Sequence, residues 1–224
     1  MTPSPPTILA FDTSGPAISA SVLKGGEIIA TRHEEMAKGQ AERLFPLLED
    51  MLQDDAGLQW FDLAAIAVGI GPGNFTGIRI SVSAARGLSL SLGIPAVGVS
   101  LLEAMAHGAS GSVLARVQAP RGRSYLQIFD DADPRAPALV EAETAQDWVR
   151  PGLVLIGHDS PTLAAVLGMD HAPAAFAPTS AIARVAALKL TALSEGETLP
   201  APSPLYLRQA DAAPSSDQPP VLIP

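Results

Sequence analysis

The sequence predicts an α/β protein in which helices pack on a mixed sheet, and three observations carry that prediction. Strand-like apolar runs open the chain around a Gly-Gly turn, so the first neighbours run antiparallel. Later runs alternate with helical stretches, and such crossovers make neighbouring strands parallel. Hydrophobic residues make up 47% of the 224 residues and charged residues 17%, which is enough apolar surface to bury a core.

Thr7 to Phe11 is an apolar run that stops at Asp12-Thr13-Ser14-Gly15-Pro16, so a buried strand ends there in a tight loop. Ile18 to Leu23 and Glu27 to Arg32 flank Lys24-Gly25-Gly26 as a hairpin. Leu44, Leu47, Leu48, Met51 and Leu52 recur at i, i+3, i+4, i+7 and i+8, one stripe of a helix over roughly Gln40 to Asp54 that Gly57 ends. Leu63 to Ile70 has strand length and leads through a Gly-rich loop into a helical stretch reaching about Leu92. Ile94 to Val99 is a further strand, and Ser100 with Glu103 forms a capping-box pattern for a helix through His107. After Gly108 to Gly111 the pattern restarts more loosely. Strands are predicted at Ser112 to Gln118, Tyr125 to Phe129 and Leu153 to Ile156, with helices at Ala164 to Leu167 and Ile182 to Leu193. The stretch from about Asp211 reads as an irregular tail.

Charge and composition narrow the function classes. Lys and Arg number 14 against 23 Asp and Glu, a net charge of −9 that opposes unaided binding to a nucleic acid. Cysteine is absent, which removes disulfides, thiolate metal sites and a Cys nucleophile together. Met1 to Pro6 lacks the charged n-region of a secretory signal, and no apolar window approaches the roughly 18–20 residues of a membrane span. The expected location is the cytoplasm.

Several residue patterns bear on chemistry. Asp12-Thr13-Ser14 reads either as a capped turn or as a carboxylate and two hydroxyls that position a metal-bound phosphate at a sheet edge. In the loop Gly69 to Gly77, glycines let the backbone approach an anion at a helix N-terminus, or equally allow a sharp turn and close helix packing. It lacks the Lys-Ser/Thr ending of a P-loop and the spacing of a dinucleotide fingerprint. His33, His107, His158 and His171 form no i, i+4 pair, so helical metal chelation has no support, and no Gly-x-Ser-x-Gly elbow presents a serine nucleophile. Arg121 and Arg123 flank Gly122 and read as ordinary turn arginines or as an anion contact. The helix from Gly77 carries a small-residue stripe of Gly77, Ser81, Ala84, Leu88 and Ser91 beside Ile78, Val82 and Ala85. That stripe serves either internal packing or a partner helix.

Three segments together resemble the bacterial TsaB (YeaZ) family: Ile8-Leu9-Ala10-Phe11-Asp12-Thr13-Ser14, Gly69 to Arg79, and Gly93-Ile94-Pro95-Ala96-Val97-Gly98-Val99-Ser100-Leu101-Leu102. The central Gly-Pro-Gly-x-Phe-Thr-Gly-x-Arg is the most specific, and Pro204-Leu205-Tyr206-Leu207-Arg208 fits the family's C-terminal pattern. The resemblance implies an actin-like ATPase (ASKHA, ribonuclease H-like) fold of two related halves with mixed sheets flanked by helices. The implied halves are residues 1–108 and a reduced 109–210, followed by the tail 211–224.

The implied function is that of a non-catalytic partner of the TsaD paralogue, which forms N6-threonylcarbamoyladenosine at position 37 of tRNAs reading codons that begin with A. The ATPase TsaE joins the complex, tRNA is met only through it, and no cofactor or metal is expected. The paralogue holds its metal through a His-x-x-x-His helix motif, whereas Met36 to Arg43 here contains no His. The implied partner interface, shared with a possible homodimer, comprises Leu44, Leu47, Leu48, Met51, Gly77, Ser81, Ala84, Ala85 and Leu88. The implied vestigial nucleotide loop comprises Asp12, Thr13, Ser14, Gly71, Gly73, Asn74, Thr76 and Gly77. Many family members have Asp-Ala-Arg-x-Gly-Glu-x-Tyr where this chain reads Gln118-Ala119-Pro120-Arg121-Gly122-Arg123-Ser124-Tyr125. The competing function is an independent nucleotide-dependent kinase or ATPase of the same fold. A metallopeptidase fits poorly without a His pair.

Overall fold

Two five-stranded mixed sheets with the same strand order form the frame of the computed structural model, which describes residues 5–194 and 196–207. In the first sheet, strands β1 (Ile8–Asp12), β2 (Ala17–Lys24) and β3 (Glu27–Glu35) make an antiparallel meander, and β4 (Ala65–Gly69) and β5 (Ala96–Val99) add in parallel on the other side of β1. The order is β3-β2-β1-β4-β5. The second sheet repeats it with β6 (Val113–Gln118), β7 (Ser124–Phe129), β8 (Arg135–Val140), β9 (Val154–Gly157) and β10 (Asp170–Ala172), in the order β8-β7-β6-β9-β10. The repeated topology makes the chain two related halves, the actin-like architecture.

Helices α1 (Gln40–Asp50), α2 (Phe75–Leu92), α3 (Leu101–Ala106), α4 (Ser160–Leu167) and α5 (Pro178–Thr191) complete the layers. The stripe of α1 packs with α2 on the outer face of the first sheet, against Leu9, Phe11, Ile18, Val22, Ile66 and Val68. α4 and a 3-10 segment at Ala142–Trp148 cover the outer face of the second sheet. Between the sheets lie α3 and α5, in a core that draws on both: Ile8, Ala10 and Ala67 from one side, Val113, Ala115 and Val117 from the other. These two helices cross over. α3 follows the first sheet in sequence yet packs on β6, β7 and β9, whereas α5 follows the second sheet and packs on β1, β2, β4 and β5.

Local chemistry explains the helix ends. Asn74 caps α2 by accepting from the Gly77 N–H at 3.0 Å, and Gly93 closes it in the left-handed region. Ser100 caps α3 by accepting from the Glu103 N–H as the spacing predicts. The Glu103 carboxylate does not return to the cap; it pairs with Lys189 Nζ at 2.8 Å and ties α3 to α5. α1 widens at Met51 into a π-helical turn, Met51–Asp55, which Arg32 braces from β3 through the Asp55 carboxylate.

Two strands lack a strand signature in the sequence. β8 contains Pro137, which an edge strand tolerates because its outer N–H row is unpaired, and β10 is only three residues at the opposite edge. The segment from Asp211, expected to be irregular, lies outside the described residues. No helix among the described residues is long and apolar enough to cross a membrane.

Candidate functional site: the cleft between the two halves

The strand ends β1 and β6 open onto one cleft of about 1270 Å³, with Asp12 and Ser14 on one side and Val117, Tyr125, His158 and Asp159 on the other. Its floor includes Leu101 and Met105 of α3, and the glycine loop forms a rim through Pro72, Gly73 and Asn74.

The structure brings the β1 loop and the glycine loop into direct contact. Thr13 Oγ1 donates to the Gly77 carbonyl at 2.7 Å, and the Asn74 N–H donates to the Ser14 carbonyl at 2.7 Å. The packing is so close that a Cβ on Gly73 would stand 2.7 Å from the Ser14 oxygen, and one on Gly77 would stand 1.9 Å from the Thr13 oxygen. These glycines are required for the approach of two backbones, and the free amides of the α2 N-terminus are partly consumed in making it.

Asp12 is held within this junction. Its Oδ2 accepts from both the N–H and the hydroxyl of Ser14, at 2.9 and 2.7 Å. Oδ1 is buried with no partner among the described residues and faces Gly69, where any Cβ would overlap it at 2.0 Å. Burial pushes the Asp12 carboxyl above its ordinary value, opposed in part by the Ser14 hydrogen bonds. Asp12 is the fifth residue of β1. The fifth residue of β6 is Val117, and the inward positions on either side of it are Ala115 and Ala119. At the position that matches Asp12 the second half therefore has no carboxylate, and a carboxylate reaches the cleft from the far wall through the half-exposed Asp159 instead.

Behind the far wall, Arg116 is a buried cation missed by the sequence reading, although a lone Arg inside the apolar run from Val113 to Val117 was a visible signal. Its Nε donates to Ser124 Oγ at 3.0 Å, and one terminal nitrogen donates to the carbonyls of His158 and Asp159, both at 2.7 Å. These bonds fix the β9–α4 turn, in which Asp159 adopts a positive φ of 49°. Burial, then the charge of Arg116, lower the His158 pKa and favour a neutral imidazole. In the diverged segment, Gln118, Ala119, Pro120 and Tyr125 line the cleft, while Arg123 bonds the Pro120 carbonyl and approaches Glu141 at 3.7 Å.

A family model described as TsaD, tRNA N6-adenosine threonylcarbamoyltransferase, matches residues 27–129. An uncharacterized protein of Mycobacterium tuberculosis is 34% identical over 211 residues, which cover 93% of this chain and 94% of that protein. The Bacillus subtilis tRNA threonylcarbamoyladenosine biosynthesis protein TsaB is 33% identical over 167 residues, covering 69% of this chain and 72% of that protein. The solved structure of YeaZ from Pseudomonas aeruginosa superposes with a TM-score of 0.69 at 26% identity, covering 90% of this chain and 100% of that one. The chain belongs to the TsaB (YeaZ) family.

For this TsaB-family chain the interface expected from the resemblance needs correction at the level of residues. Leu44, Leu47, Leu48 and Met51 are at most 1% exposed, Ser81 and Ala85 are fully buried, and Ala84 is nearly so. Leu88 is half-buried against the same core. The broad apolar face of the first sheet absorbs the whole stripe, and Gly77 is small because Thr13 lies against it. What α1 and α2 expose instead is Phe45, 44% exposed, Leu90, 86% exposed, and the arginines Arg79 and Arg86. By contrast, Asp12, Thr13, Ser14, Gly71, Gly73, Asn74 and Gly77 do assemble in one place, and Thr76 lines the same cleft.

Proposed function

We propose that this chain is the non-catalytic partner that activates a TsaD-type threonylcarbamoyltransferase in forming N6-threonylcarbamoyladenosine at position 37 of tRNAs reading codons that begin with A. It acts in the cytoplasm, in a complex that a TsaE-type ATPase joins. The observation that carries this reading is the state of Asp12: it is tied to Ser14 and shut against Gly69, and the matching position of the second half is Val117. A phosphoryl-transfer site needs charged groups free to hold metal and phosphate, and a carboxyl with one oxygen bonded to Ser14 and the other enclosed against Gly69 is a poor ligand. The absence of a His pair in residues 36–43 and the name carried by the Bacillus subtilis relative support the same reading.

Partner binding belongs to the half spanning residues 1–108, through the exposed faces of α1 and α2, and the same faces serve a homodimer when the partner is absent. With a net charge of −9 the chain meets tRNA through the complex and not by itself. The test is reconstitution with the TsaD-type partner, the TsaE-type ATPase, threonylcarbamoyl-AMP and tRNA, omitting one component at a time. Modified tRNA is expected when all are present, and it is expected to drop to background without this chain. The second reading, an independent kinase or ATPase, is favoured by the size of the cleft and by Asp12 at its edge. Steady ATP turnover by the purified chain alone decides for that reading and against the first.

A further inference from the structure

Residues 199–207 belong to neither sheet, yet they are fixed at successive points along the first half. Leu199 and Leu207 pack against the core between the sheets. Pro202 is buried beside Gly98, where an added Cβ would stand 3.5 Å from the proline ring. The Leu205 N–H donates to the Ile70 carbonyl at 2.8 Å, just where β4 gives way to the glycine loop. Tyr206 then stacks on Phe75, with ring centroids 4.7 Å apart and planes at 28°. Its hydroxyl accepts from Arg79 Nε at 2.9 Å, and the Arg79 guanidinium lies 3.9 Å from the centre of the Phe75 ring.

Phe75 and Arg79 are the first and fifth residues of α2, and Phe75 also lines the cleft. The three side chains lie at the surface, with Tyr206 44% exposed, so their contacts part without opening the core. An aromatic stack bridged by a cation holds two such segments in register while remaining releasable. We propose that residues 199–207 form a latch: by seating Tyr206 on Phe75 and Arg79, the C-terminal segment fixes the first turn of α2 and the glycine loop, and so sets the position of that wall of the cleft. The latch is a property of the chain alone and does not depend on the partner role proposed above.

The test is amide hydrogen exchange on the purified full chain, comparing residues 71–80 with the amides of β1 and β4. Tyr206→Ala is expected to accelerate exchange across residues 71–80 by about tenfold while β1 and β4 keep their protection. Tyr206→Phe keeps the stack and loses only the Arg79 hydrogen bond, so its acceleration is expected to be smaller, about threefold, at the same residues. Tyr206→Phe decides the question if the alanine variant does not fold. Unchanged exchange at residues 71–80 overturns the latch. So does equal acceleration in β1 and β4, because the segment is then simply part of the core.

Discussion

Gly77 stands so close to Thr13 that a Cβ on the glycine would lie 1.9 Å from the threonine carbonyl oxygen, and that same threonine donates its hydroxyl to the Gly77 carbonyl. The contact sets the distance between α2 and β1. In an exposed helix, replacing Gly with Ala gains about 1 kcal/mol of stability. Here the backbone of Thr13 is not a movable side chain, so the sign reverses. Gly77→Ala is expected to lose about 1–3 kcal/mol, the cost of overpacking, in urea unfolding. A stabilised variant removes the close approach as the reason for this glycine.

Leu48 and Leu90 separate core from surface on the two helices of the first half. Leu48 has no exposed area and Leu90 is 86% exposed. Leu48→Glu buries an unpaired charge at a cost of about 3–5 kcal/mol and is expected to leave the chain largely unfolded by circular dichroism. Leu90→Glu and Phe45→Glu are expected to change stability by less than about 0.5 kcal/mol. If α1 and α2 face the partner, these two variants weaken its binding in titration calorimetry while melting as the parent does.

The two helices also mark how far the sequence could be read. The period of Leu44, Leu47, Leu48, Met51 and Leu52 announced a helix with one apolar face, because the i, i+3, i+4 spacing is a local property. What that face meets is not local. The breadth of the sheet beneath it, from Ile18 to Val68, emerges only when β1, β2 and β4 pair. The apolar strands of the first half were legible for the same local reason, whereas Pro137 hid β8 and its three-residue length hid β10. In the candidate site, the glycine loop declared itself by composition. Its partner Asp12 was visible as a strand end, but the Ser14 clamp and the lock against Gly69 depend on two segments meeting in space. The stack of Tyr206 on Phe75 joins positions too far apart for any spacing rule to connect.

Arg116 predicts a local failure behind the opposite wall of the cleft, in the turn that carries His158 and Asp159. Its guanidinium satisfies the carbonyls of His158 and Asp159 in a turn where Asp159 has a positive φ. Arg116→Met keeps much of the side-chain volume and removes both donors. The expected loss is about 1.5–3 kcal/mol, the range for hydrogen bonds to a charged group, measured by chemical denaturation. The 3.7 Å approach to Asp159 adds little because that carboxylate is half exposed. A loss indistinguishable from zero means that water replaces the guanidinium at this turn.

Asp12 gives a prediction that depends on pH. Burial raises its carboxyl above the ordinary value of 3.8, and the Ser14 hydrogen bonds recover only part of that rise. Below the ordinary value both folded and unfolded chains carry the proton, and Asp12 contributes no pH dependence. As pH rises from there towards the folded-state value, the unfolded chain releases its proton first, so stability falls; above the folded-state value the loss is complete. Asp12→Asn keeps an oxygen to accept from Ser14 and places a neutral amide against Gly69, whose burial without a partner costs less than that of a charge. The variant is therefore expected to gain stability over the parent as pH rises from about 4 to about 8, with the two converging at the acid end. Urea unfolding across that range checks it. Parallel curves mean that Asp12 ionises as readily in the folded chain as in the unfolded one, and a carboxylate so readily available is again a candidate to hold a cation in the cleft.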